Sequence, residues 1–146
     1  MIHIIPNLHP IFVHFTITLI VIMGLLQLFQ WLLKTTAQHD TMTTVQKWLS
    51  IVGSVTVLLT LATGMYAAST VNHDTLSHLA MIDHRNWALS TGIIFLVGCA
   101  LFYFLPNRRQ SVAGSFFVAS MLLVTLTAFK GGELVYRHGL GVMSLQ

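Results

Sequence analysis

Charged residues divide the chain into four long uncharged stretches: from the N-terminus to Lys34, from Trp48 to Asn72, from Asn86 to Asn107, and from Gln110 to Phe129. Each supplies the roughly 20 apolar residues that an α-helix needs to cross a ~30 Å hydrocarbon core. The pattern predicts spans at about 11–33, 48–71, 84–105 and 110–130. Pro10 falls in the expected first turn of the first helix, and Pro106 closes the third, where Asn107, Arg108 and Arg109 form a tight polar turn. Gly131 and Gly132 are expected to end the fourth. The first stretch lacks a basic leader and an A-x-A cleavage site, and its apolar run from Ile11 to Leu33 is too long for a signal-peptide core, so it reads as a retained helix. Short loops remain, at about 35–47 and 71–83, with a C-terminal tail. The expected fold is all-α: a single four-helix transmembrane domain over 1–146, with both termini on one side.

Small residues recur at helical spacing within the spans. Gly53, Val57, Thr60, Gly64 and Ala68 share one face of the second, and Ala88, Gly92, Phe95 and Cys99 one face of the third. Such faces let helix backbones approach closely in lipid, so these positions are assigned to packing.

Composition agrees with a membrane protein. Of 146 residues 55% are hydrophobic and 8% charged, against about a quarter charged in soluble domains. The formal charge of +3 comes from scattered residues with no basic stripe, which sets nucleic acid aside as a partner. The single Cys99 excludes a disulfide framework and a CxxCH haem attachment. No charged residue lies at mid-span to line a transport pathway. Lys34, Lys47, Arg108 and Arg109 flank one side of the bilayer, and Arg85, Lys130 and Arg137 the other. The margin of one basic residue orients the termini toward the periplasm of a bacterial inner membrane.

Histidine is the unusual quantity, with eight residues against four acidic ones. Four spans put the N-terminus, the middle loop and the C-terminus on one side, which therefore holds His3, His9, His14, His73, His78, His84 and His138; only His39 falls opposite. His3, His39, His73 and His78 read as loop or interfacial residues. His14, about one turn inside the first helix, and His84, opening the third, are expected to point inward just below the membrane surface. His9, before Pro10, and His138, after the double glycine, are expected at the rim. His9 and His14 are separated by roughly 140° around a helix, which suits two sites better than one small ion.

Neutral imidazole is a common ligand for haem iron, zinc and copper, and an ionisable residue at membrane depth is a functional candidate by default. A bis-histidine haem b needs two histidines on facing helices, a flat apolar slot, and cationic groups near the propionates. Arg85, Lys130 and Arg137 stand beside the histidine-bearing ends, and Phe12, Phe15, Tyr66, Trp87, Phe129 and Tyr136 are the flat side chains nearby.

The segment His9-Pro10-Ile11-Phe12-Val13-His14-Phe15 resembles the HPxxVHF signature of an uncharacterised family of bacterial four-span membrane proteins. The segment Gly131-Gly132-Glu133-Leu134-Val135-Tyr136-Arg137-His138-Gly139-Leu140-Gly141-Val142 resembles that family's closing GGxLVYxHGxGV, and a histidine near the start of the third span, here His84, belongs to the same pattern. The chain departs from it at Thr16, where the family has proline. Fusion of some relatives to Rieske-type iron–sulfur domains implies electron transfer near the extracytoplasmic face.

These readings lead to a membrane b-type cytochrome passing electrons near the periplasmic face. His14 and His84 are the expected axial pair, His9 and His138 the candidates for a second haem, and Arg85 and Arg137 the propionate partners. The expected partners are membrane lipid, a periplasmic c-type cytochrome or Rieske-type protein, and a second copy or a larger complex. One alternative is a copper or zinc protein using His9, His14, His84 and His138 with Met65, Met81 or Met143. Another is a non-catalytic subunit or assembly factor of a respiratory complex.

Overall fold

The computed structural model describes residues 8–33, 36–71, 74–105 and 110–140. They form four helices in chain order: α1 (His9–Leu33), α2 (Thr36–Thr70), α3 (Thr75–Phe104) and α4 (Gln110–Tyr136). All four are long and apolar enough to cross a membrane, as a helix must do where no water is present to satisfy backbone groups. His9 meets Thr60 while Gln27 meets Gln46, so α1 and α2 run antiparallel. Each helix packs on its two neighbours in a ring: α1 on α2, α2 on α3, α3 on α4, and α4 on α1.

Two expected loops are largely helical. Residues 36–47 and 75–83 are polar, but they contain neither proline nor glycine, so nothing interrupts the backbone ladder and the helices extend past their apolar segments. The start of α3 is fixed by a capping box, in which the Asp74 carboxylate accepts the Ser77 N–H at 2.8 Å and the Ser77 hydroxyl accepts the Asp74 N–H at 3.0 Å. At its other end Leu105 is extended (φ −81°, ψ 146°), the conformation required of the residue before Pro106. The fourth helix does not end at Gly131 and Gly132 but continues to Tyr136. Its terminator is Gly139, at φ 62°, whose N–H donates to the Val135 carbonyl at 3.1 Å.

The interior combines small and polar residues with a cluster of large apolar ones, whereas the exterior is large and apolar throughout. Gln46 and Ser120 are fully buried, while Leu122, Ile93 and Phe104 are exposed toward the lipid. Below the histidine end, Ile20, Val57 and Val124 pack with Met23, Phe95 and Phe117 in a continuous apolar cluster, with the rings of Phe95 and Phe117 5.9 Å apart. The small-residue faces read from the sequence do turn inward: Gly53, Val57, Gly92, Phe95 and Cys99 are all buried. At the far end the Gln46 amide donates to Gln27 Oε1 at 3.4 Å.

Candidate functional site

All four helices enclose a cavity of about 620 Å³ at the histidine-bearing end. His9, His14 and His84 line it, with Thr16, Thr60, Thr91 and Thr127 beneath them and Gly64, Ala67, Ala88, Ala128 and Gly131 among its walls. The size falls within the range of small-molecule and cofactor pockets, and the lining is mostly apolar with a few polar groups.

The two deepest imidazoles have matching surroundings. His9, half-buried at the start of α1, reaches across to α2, where its Nδ1 lies 3.1 Å from the Thr60 carbonyl. His84, half-buried in α3, reaches across to α4, where its Nδ1 lies 3.2 Å from the Thr127 carbonyl. A carbonyl only accepts, so each Nδ1 carries the proton and the neutral ring keeps its lone pair on Nε2. The same two threonines support the site a second way. The Thr16 and Thr60 hydroxyl oxygens are 2.8 Å apart, as are those of Thr91 and Thr127. Each ring also rests on a glycine: a Cβ at Gly64 would come 2.8 Å from His9 Cε1, and one at Gly131 would come 3.0 Å from His84 Cε1. This close approach is what the first glycine of the expected helix stop provides.

Other candidates are placed differently. His9 is not a rim residue, and the inward and outward roles expected for the first helix are exchanged. His14 is exposed although it lines the cavity, and its Nδ1 turns back to the Pro10 carbonyl at 2.5 Å. His138 is exposed, outside the cavity lining and within electrostatic range of Asp74. Arg85 is exposed. Arg137 pairs with Glu133 at 2.9 Å, and Lys130 with Asp83 at 2.9 Å. Of the six aromatic residues expected to form a flat slot, only Tyr136 lines the cavity; Phe15, Tyr66 and Phe129 face outward because the helix ends meet lipid there. Among the described residues no three of His, Cys, Asp or Glu come together as a metal site. His3, His39, His73 and Met143 lie outside the residues whose side chains are described.

A family model described as "Predicted membrane protein (DUF2231)" matches residues 5–144. The chain belongs to the DUF2231 family. No curated protein and no solved structure matches it.

Within this DUF2231 chain the residues that sequence reasoning did not connect to the site are Thr16, Thr60, Thr91, Thr127, Gly64 and Gly131. Their sequence context points to packing for Thr60 and Gly64 and to a helix stop for Gly131. The available signal was their spacing. Thr60 and Gly64 are separated on α2 by the same interval as Thr127 and Gly131 on α4.

Proposed function

We propose that this membrane protein is a b-type cytochrome, holding haem in the cavity between its two helix hairpins and exchanging electrons near the face where His9 and His84 lie. The observation that carries the reading is the pair of half-buried imidazoles, each with Nδ1 tied to a backbone carbonyl at the wall of one apolar cavity. Metal-binding histidines characteristically donate their second ring N–H to a carbonyl or carboxylate, which fixes the tautomer and the ring orientation.

The residues present fit such a group. The carbonyls of Thr60 and Thr127 hold the lone pairs of His9 and His84 on Nε2. Gly64 and Gly131 give the rings room to sit against neighbouring helices. The alanine-rich walls are largely apolar, which favours a large apolar ligand. Arg85 offers an exposed cation beside His84, whereas Lys130 and Arg137 are engaged with Asp83 and Glu133. Bound haem would supply one-electron redox chemistry. The pair favoured by geometry is therefore His9 with His84. His14 is retained as an exposed residue at the same cavity, and His138, outside it, supports no second haem. A copper or zinc site drawing on these histidines is less well supported, since no third ligand gathers with them among the described residues.

The reading extends to a bacterial inner membrane with the histidine end periplasmic, and to a soluble c-type cytochrome or a Rieske-type domain as the redox partner. A reduced-minus-oxidised absorption spectrum of the detergent-purified protein, expressed with ample haem, tests it. Sharp α and Soret bands are expected, and a featureless spectrum overturns the proposal.

A further inference from the structure

The two halves of the chain repeat one another at the cavity. From α1 to α3 the offset is 75 residues: His9 corresponds to His84 and Thr16 to Thr91. From α2 to α4 it is 67: Thr60 corresponds to Thr127 and Gly64 to Gly131. Four residues in each hairpin are thus identical in type, and they make the same contacts: imidazole to carbonyl, hydroxyl to hydroxyl, ring on glycine.

The contacts between hairpins repeat as well. Gly24 of α1 packs on Met121 of α4; the same two offsets turn that pair into Cys99 of α3 and Ser54 of α2, whose side chains are neighbours. The buried positions of α1 after Thr16, namely Ile20, Met23, Gly24 and Gln27, fall on Phe95, Gly98, Cys99 and Phe102, all buried. The burial register therefore runs the length of the bundle. Residue identity at the buried positions does not: it is kept beside the cavity and lost at the far end, where Gln27 corresponds to Phe102 and Gln46 to Ala113, while the matches of Leu26 with Leu101, Phe29 with Phe104 and Val45 with Val112 lie outside the buried set. A fold that needed only packing would have no reason to keep its matching interior residues at one end.

We propose that the chain is a tandem repeat of one helix hairpin whose two copies build a single shared ligand site on the axis between them, with His9 and His84 as equivalent ligands on opposite sides of one flat molecule. The identity of that molecule as haem rests on the cytochrome reading above; the equivalence of the two histidines does not.

The test uses the full-length protein in detergent. Nitrogen-15 histidine spectra of haem-free protein are expected to show His9 and His84 in the same tautomer, protonated on Nδ1. Protein loaded with haem is then compared as wild type, His9→Ala, His84→Ala and His14→Ala, with His9→Met and His84→Met as variants that keep a ligand and a similar volume. One haem per chain is expected. Both alanine variants should lose the six-coordinate spectrum to the same extent, both methionine variants should shift it in the same sense, and His14→Ala should retain it. Two haems per chain, or loss in only one of the paired variants, overturns the shared site. Absence of haem from wild type overturns the cytochrome reading alone, and the nitrogen-15 spectra then decide: matching tautomers sustain the shared site, and differing tautomers refute it.

Discussion

The imidazole of His9 lies directly on Gly64, so closely that a methyl group there would come within 2.8 Å of Cε1; His84 stands over Gly131, where a methyl group would come 3.0 Å from Cε1. Alanine favours a helix over glycine by about 1 kcal/mol, whereas overfilling a packed site costs about 1–3 kcal/mol. Gly64→Ala should therefore be destabilising by about 1 kcal/mol and displace the His9 ring, while Gly131→Ala should be close to neutral. Equilibrium unfolding in mixed detergent micelles checks the order of the two.

The paired hydroxyls beneath the rings carry a smaller load. Thr91 and Thr127 each also reach a carbonyl one turn back in their own helices, those of Trp87 and Leu123. Each hydroxyl has one proton, so the contact across helices competes with these local bonds. A double-mutant cycle of Thr91→Val and Thr127→Val should give a coupling of about 0.6 kcal/mol, the average for polar contacts between membrane helices. A similar value is expected for Thr16 and Thr60.

The histidine pair shows what was legible in the sequence and what was not. Gaps between charges located four spans because lipid demands uninterrupted apolar length, and small-residue faces located the packing seams. Neither signal distinguishes His9 from His14. That choice depends on which way α1 faces its neighbours, set by Thr16, Ile20 and Met23 turning inward. The position of Pro10 also invited a rim assignment for His9, although a proline in the first turn leaves the preceding residue inside the fold. Gly131 was misread because glycine serves both as a stop and as a point of close approach, and only the partner ring tells the two apart.

Acid should loosen the start of α3. The Asp74 carboxylate accepts bonds from the Ser77 hydroxyl and backbone N–H, which hold its pKa below the usual carboxylate value. A depressed folded pKa contributes stability that is complete above the unfolded value and is lost as pH falls through the folded one. Amide exchange at Leu76 to Leu79 should thus be slow at neutral pH and accelerate below roughly pH 4, relative to its intrinsic rate. Asp74→Asn should flatten that dependence.

The end of α4 depends on a left-handed residue. Gly139 sits at φ 62°, a conformation that costs a side-chain-bearing residue about 1 kcal/mol. Gly139→Ala should fray the last turn, releasing the Leu140 N–H from the Leu134 carbonyl and loosening the Arg137–Glu133 pair. Faster exchange at Arg137 and Gly139, with the helix below unchanged, is the expected result.

Ile20, Val57 and Val124 floor the cavity, and Met23, Phe95 and Phe117 continue that apolar layer toward the other end. Such a layer acts as an electrical insulator between the two aqueous compartments. On the cytochrome proposal, an electron admitted at the histidine end would leave by the same face, so turnover would neither draw on the membrane potential nor add to it.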